Sequence, residues 1–149
     1  MNQISIENVL QAAEVLKEVA RKTDMIFAPK LSANSQVYLK TENLQVTGSF
    51  KVRGAYYKIS KLSQEELARG VIACSAGNHA QGVALAAKRR GAKAIICMPD
   101  IAPIAKVEAT KSYGAEVVLV PGTYDEASAY AQKLCKERGM TFVHPFPVP

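Results

Sequence analysis

Lys51 lies in the block Thr47-Gly48-Ser49-Phe50-Lys51-Val52-Arg53-Gly54. A second block, Ser75-Ala76-Gly77-Asn78-His79-Ala80-Gln81-Gly82, sets small and polar side chains around two glycines. A lysine amine condenses with aldehydes. A polar turn at a helix start holds an anion on unpaired backbone N–H groups, where the helix dipole also favours negative charge. Together they suit a small ligand with both an aldehyde and an anionic group. Pyridoxal phosphate is such a ligand, and its chemistry runs through a lysine Schiff base.

Each of these residues also has a plainer reading. Lys51 can be a solvated surface lysine. Asn78 can donate to or accept from a ring hydroxyl, and it is also a good helix cap. His79 can shuttle a proton or simply pack at the helix start. Arg53 can meet an anionic substrate, but its place beside Lys51 favours bracing that helix. His144 sits at a strand end with nothing more to define it, and Thr47, Ser49 and Thr123 read as caps. There is no Gly-x-Gly-x-x-Gly, Walker loop or nucleophile elbow. Cys74, Cys97 and Cys135 have no metal-ligand spacing, so no metal site is expected.

The elements that must position these residues follow from periodicity. Ile6, Val9, Leu10, Ala13, Leu16 and Ala20 recur at helical spacing behind a Ser5 cap. Residues 24–36 read as a loop broken by Pro29, Asn34 and Ser35. Val37 to Lys40 reads as a strand, and a helix is expected from Ser49 to Ser60. A capping box at Ser63 and Glu66 opens a short helix over 64–69. Apolar strands at 71–74, 94–97, 117–120 and 141–143 then alternate with helices at 78–90, 104–113 and 124–138. Gly70, Gly91, Gly114 and Gly139 each fall between a helix and a strand, where a left-handed residue closes the helix. This rhythm predicts an α/β fold, a three-layer open parallel sheet with its ligand beyond the carboxyl ends of the strands. The regular unit is expected over 49–149, with 1–48 as an N-terminal segment of a second, larger lobe. The end, Phe146-Pro147-Val148-Pro149, comes just after a strand, so the architecture reads as interrupted.

The chain has 149 residues, 48% hydrophobic and 21% charged, enough for one ordinary domain with a real core. No apolar run reaches the roughly 18 residues of a membrane span, and the start lacks a secretory pattern. Widely spaced cysteines point to a reducing, cytoplasmic setting. The net charge of +6 favours anionic ligands. Its densest cluster, Lys88-Arg89-Arg90, falls at an expected helix end that cations complement, so no nucleic-acid partner is expected.

Several stretches resemble the threonine dehydratase (threonine ammonia-lyase) family of fold-type II pyridoxal-phosphate enzymes. They are Thr41 to Ala55, Ala73 to Ala84, Met98-Pro99, Ala102-Pro103-x-x-Lys106 and Tyr113-Gly114-Ala115-Glu116-Val117. The likeness covers about 37–146 and corresponds to the family's N-terminal half, whose small domain is Rossmann-like. It implies that Lys51 is the catalytic Schiff-base lysine, that Phe50 packs near the cofactor ring and that Asn78 hydrogen-bonds the ring hydroxyl. Ser75, Ala76, Gly77, Asn78 and His79 would bind the substrate carboxylate. The implied reaction converts L-threonine, or serine, to a 2-oxo acid and ammonia, with a place in isoleucine biosynthesis. Related serine racemases carry a serine at the position of Ala76, and alanine cannot move a proton, so lyase chemistry is expected over racemisation. The family's glycine-rich phosphate loop has no counterpart here, and the Pro145 to Pro149 end departs from the family's acidic pair. Weak cofactor retention and little turnover are therefore expected of the chain alone. A homo-oligomer or a complementing C-terminal half are the implied partners. A non-catalytic α/β domain that binds a partner or a small anion is the alternative.

Overall fold

A computed structural model describes residues 4–145, so the expectation about Phe146 to Pro149 lies outside the described residues. Along β3 (Val71–Cys74) successive side chains point to opposite faces. Val71 and Ala73 enter one apolar cluster, and Ile72 and Cys74 enter another. β4 (Ala94–Pro99) divides the same way, with Ile96 and Met98 on one side and Ile95 and Cys97 on the other. Strands apolar on both faces must be covered on both, which makes the sheet the middle of three layers. One layer contains α2 (Lys51–Ser60), α3 (Gln64–Arg69), α4 (Asn78–Arg89) and α5 (Ile104–Ser112). They bury Val52, Ile59, Leu67, Val83 and Val107 in the first cluster. On the other face, α6 (Tyr124–Arg138) buries Ala127, Ala131 and Leu134.

The strands are parallel, in the order β5 (Glu116–Val120), β4, β3, β6 (Thr141–Phe142). Cys97 lies opposite Cys74 on one side of β3, and Thr141 lies opposite Val71 on the other. The chain steps outward from β3 to β5 through α4 and α5, then doubles back under α6 to lay β6 along the free side of β3. Right-handed crossovers move the helix to the opposite face when the direction reverses. The reversal leaves a switch point between β3 and β6, and sheets of this kind bind ligands beyond the carboxyl ends there. Gly70 sets the start of β3: its φ is +86°, and a Cβ would stand 2.8 Å from the Lys93 carbonyl oxygen.

Residues before Lys51 fold onto this unit from one side. Helix α1 (Ile6–Leu16) opens on a capping box between Ser5 and Asn8. It ends four residues before Ala20, the expected limit. Glu18 and Val19 donate to carbonyls three residues back, so the last turn tightens out of the α-helix. The expected loop over 24–36 needs correction. Met25–Phe27 forms a strand, β1, antiparallel to β2 (Tyr38–Lys40), and Pro29–Leu31 makes a 3-10 turn. Three residues are too few to show a strand period, and the partner that defines β1 lies beyond the loop.

Arg53 ties the two parts together. Its Nε and Nη2 donate to the Glu42 carboxylate at 2.8 and 2.9 Å, and Thr23 Oγ1 donates to the same group at 3.0 Å. This bidentate geometry is the bracing role expected of Arg53. The Arg53 hydrogen bond, ahead of the opposing effect of burial, holds the Glu42 carboxyl down to about 2. The stabilisation is complete above the ordinary value of 4.5 and is lost as pH falls toward 2. Glu42→Gln should cost about 1 kcal/mol at neutral pH, a modest figure because the pair is partly solvated. Urea midpoints of the two proteins should converge as the solution is acidified below pH 4.5.

Candidate active site

Lys51 opens α2, where its backbone N–H reaches Ser49 Oγ at 3.4 Å after a turn at Gly48 (φ +69°). The helix is held by α4, and the contact centres on Gly82. A Cβ there would meet the Lys51 carbonyl carbon at 3.0 Å, with the Lys51 oxygen and the Val52 nitrogen both at 3.1 Å. The second glycine of the second block therefore sets the position of the lysine in the first. A glycine inside a helix costs about 1 kcal/mol relative to alanine, a signal that some packing constraint requires it.

At the switch point lies a cleft of about 590 Å³, lined by Phe50, Lys51, Lys58, His79, His144 and Pro145 among others. Lys51 Nζ donates to the Pro145 carbonyl at 3.0 Å and lies 5.6 Å from the centre of the Phe50 ring. Among the described residues the lining holds the Lys51 and Lys58 amines, Arg53 already paired with Glu42, and two histidines, and none of them carries a carboxylate. Such a wall attracts anions. Lys58 went unnoticed in the sequence, although it stands seven residues after Lys51, on the same helix face.

His79 is buried, and its Nε2 lies 2.9 Å from the Val143 carbonyl oxygen. A carbonyl only accepts, so Nε2 carries the hydrogen and Nδ1 is the bare nitrogen of the neutral ring. Burial, with the Lys51 charge adding to it, pushes the imidazole below its ordinary value; the Val143 bond works the other way. The packed reading of His79 describes its surroundings, and that packing joins α4 to the chain leaving β6.

Ser75, Ala76, Gly77 and Asn78 do not line this cleft; they form the adjoining turn from β3 into α4. The Ser75 N–H donates to the Cys97 carbonyl, and its Oγ accepts from the Gly77 N–H at 3.2 Å. The cap reading of Asn78 is wrong. Gly77 is the N-cap, no side chain caps the helix, and Asn78 is the first helical residue. Asn78 Oδ1 accepts instead from Lys106 Nζ at 3.3 Å. A Cβ on Gly77 would meet nothing within 4 Å, so open space stands over an uncapped helix start. Another cleft, lined by Arg69, Lys93, Glu116 and Arg138, lies at the amino ends of the strands. Arg69 and Arg138 belong to last helical turns, where cations answer the dipole.

A parallel sheet with a lysine amine, an uncapped helix start and a cationic cleft at its switch point matches a known family. The chain belongs to the pyridoxal-phosphate dependent enzyme family, whose model matches residues 16–149. It is 51% identical over 146 residues to the catabolic L-threonine dehydratase TdcB of Staphylococcus aureus strain N315, covering 96% of this chain and 42% of that protein. It is 49% identical over 145 residues to the L-threonine ammonia-lyase of Thermotoga maritima, covering 96% of this chain and 36% of that one. Among solved structures it superposes on the processed form of threonine deaminase isoform 2 from Solanum lycopersicum with a TM-score of 0.86 and 40% identity. That match covers 98% of this chain and 42% of the other. Maize serine racemase gives a TM-score of 0.90 at 32% identity, covering 96% and 44%. The chain thus spans well under half the length of these relatives.

Pyridoxal phosphate fits the residues present. Lys51 offers the amine, the lining is cationic, and the space beside Gly77 at the α4 start is one a side chain would fill.

Two outcomes follow. Gly82→Ala should destabilise the fold by about 1 to 2 kcal/mol, since the obstacle is helix backbone and the gain in helix propensity offsets only part of the clash. Denaturant unfolding measures it. His79 takes up its proton less readily folded than unfolded, so stability should fall as pH drops below the ordinary 6.5 and level off under the folded value. In His79→Asn the urea midpoint should lose that part of its slope.

Proposed function

We propose that this chain is the lysine-bearing part of a pyridoxal-phosphate dependent threonine or serine ammonia-lyase. The observation that carries the reading is Lys51, its backbone set by the Gly82 contact and its amine on a cationic cleft beside the open start of α4. The names of the Staphylococcus aureus and Thermotoga maritima relatives point to the same elimination.

In this reading Lys51 holds the cofactor and Phe50 packs beside it. Asn78 donates to the ring oxygen. When bound, the cofactor supplies an electron sink for negative charge at the carbon bearing the amino group. The backbone N–H groups at Asn78 and His79 hold the substrate carboxylate, with Ser75, Ala76 and Gly77 shaping the turn. Lys51 Nζ, once exchanged for the substrate amine, takes the proton from the α-carbon. The β-hydroxyl leaves as water, and hydrolysis of the remaining enamine gives the 2-oxo acid and ammonia. The methyl of Ala76 can move no proton on the opposite face, which supports elimination over racemisation.

Residues 1–48 stand in this proposal as the first segment of the larger lobe, and 49–149 as the small domain. Supporting this, β1 and β2 form a separate two-stranded sheet whose side chains are exposed, and such a hairpin is marginal without cover. The cover would come from a complementing C-terminal half, and a homo-oligomer belongs to the same reading. Among the described residues no helix is long and apolar enough to cross a membrane. A cytoplasmic setting fits three free thiols. A place in isoleucine formation belongs to this reading, while the name of the Staphylococcus aureus relative points to a catabolic role.

Pyridoxal phosphate added to the purified chain, alone and with a complementing C-terminal half, should give a Schiff-base absorbance band. Borohydride should then trap the label on the peptide that contains Lys51, and Lys51→Ala should show neither band nor label. A band that survives Lys51→Ala would sink the reading.

A further inference from the structure

Lys106 is out of place electrostatically. It sits in the first turn of α5, where the helix dipole disfavours a cation and where no acidic residue accompanies it. A residue that breaks a local rule needs a compensating contact. Here that contact is Asn78 Oδ1, 3.3 Å from Lys106 Nζ.

The supports of this lysine are built from the core outward. Val107 and Thr110 are buried, Thr110 fully, and Thr110 Oγ1 donates to the Lys106 carbonyl at 2.8 Å. The Lys106 N–H donates to the Pro103 carbonyl, also at 2.8 Å. The backbone of Lys106 is thereby pinned on both sides, and the half-buried side chain spans from α5 to the first residue of α4.

An asparagine amide has one accepting and one donating end, and nothing intrinsic decides which end faces a ligand. An ammonium has donors only. By donating to Oδ1, Lys106 turns the other end of the exposed Asn78 side chain, the NH2 group, toward whatever binds at the start of α4. We propose that Lys106 is a positioning residue that locks the Asn78 amide as a donor and so selects ligands presenting an anionic or accepting oxygen. This rests on the proposed role of Asn78 toward the cofactor ring oxygen, and it adds the element that sets the polarity of that contact.

The test uses the 149-residue chain labelled with 15N. The side-chain NH2 resonances of Asn78, assigned by their loss in Asn78→Ala, should move or broaden in Lys106→Met. Lys106→Arg, which keeps a cationic donor, should bring them back toward their native positions. Resonances unmoved in Lys106→Met would overturn the proposal, whether or not cofactor binds. A second arm titrates pyridoxal phosphate and follows the lysine-dependent band. Lys106→Met should weaken binding about tenfold, the scale of one charge-assisted hydrogen bond, and should add nothing to the loss in Asn78→Ala. Fully additive losses would mean that Lys106 acts on the ligand by its own charge, against the proposal. A band that persists without Lys51, or a chain that forms none even with a complementing C-terminal half, counts against the functional reading, and the amide resonances still decide the role of Lys106.

Discussion

The site depends on how closely two helices can approach. Gly82 lets the start of α4 lie against the carbonyl of Lys51, and almost every other feature follows from that contact. It brings an amine to a crevice that adjoins the start of α4, although the two belong to different elements and different stretches of sequence. Burial of His79 under Val143 adds a second tie, between α4 and the chain leaving β6. The cleft is thus walled by α2, α4 and the end of β6, and a shift in any one of them would move the others.

The sheet explains why the crevice is where it is. A chain that always ran outward would leave no gap beside β3. The reversal under α6 makes two neighbours of β3 diverge from it, one through α4 on one face and one through α6 on the other. Side chains at the strand ends need not pack there, so the site is open without any cost to the core.

Much of this was legible in the sequence because it is local. Apolar strands, their helices, the capping box at Ser63 and the cap at Thr123 all depend on residues a few positions apart. The motif blocks announced Lys51 and the turn into α4. What escaped was non-local. Strand β1 is defined by a partner beyond a loop, and its three residues carry no period of their own. Asn78 looks like a cap by residue type, yet Gly77 takes that place because the turn from β3 arrives one residue earlier. Lys106 could be quoted as part of a motif, but its partner on another helix could not be read from spacing. The end of Lys51 at the Pro145 carbonyl was equally hidden, since 94 residues separate them.

That last bond has a mechanical meaning. An ammonium that reaches a main-chain carbonyl acts as a latch between α2 and the end of β6. In the proposed reading, condensation of this amine with an aldehyde would give up two of its hydrogens to water and leave at most one on the nitrogen. The carbonyl at Pro145 would then turn to water or to another donor, so loading the cleft would loosen the tie to the strand end. Occupancy of the small molecule would be felt along the polypeptide, at a point far from Lys51 in the chain but next to it in space.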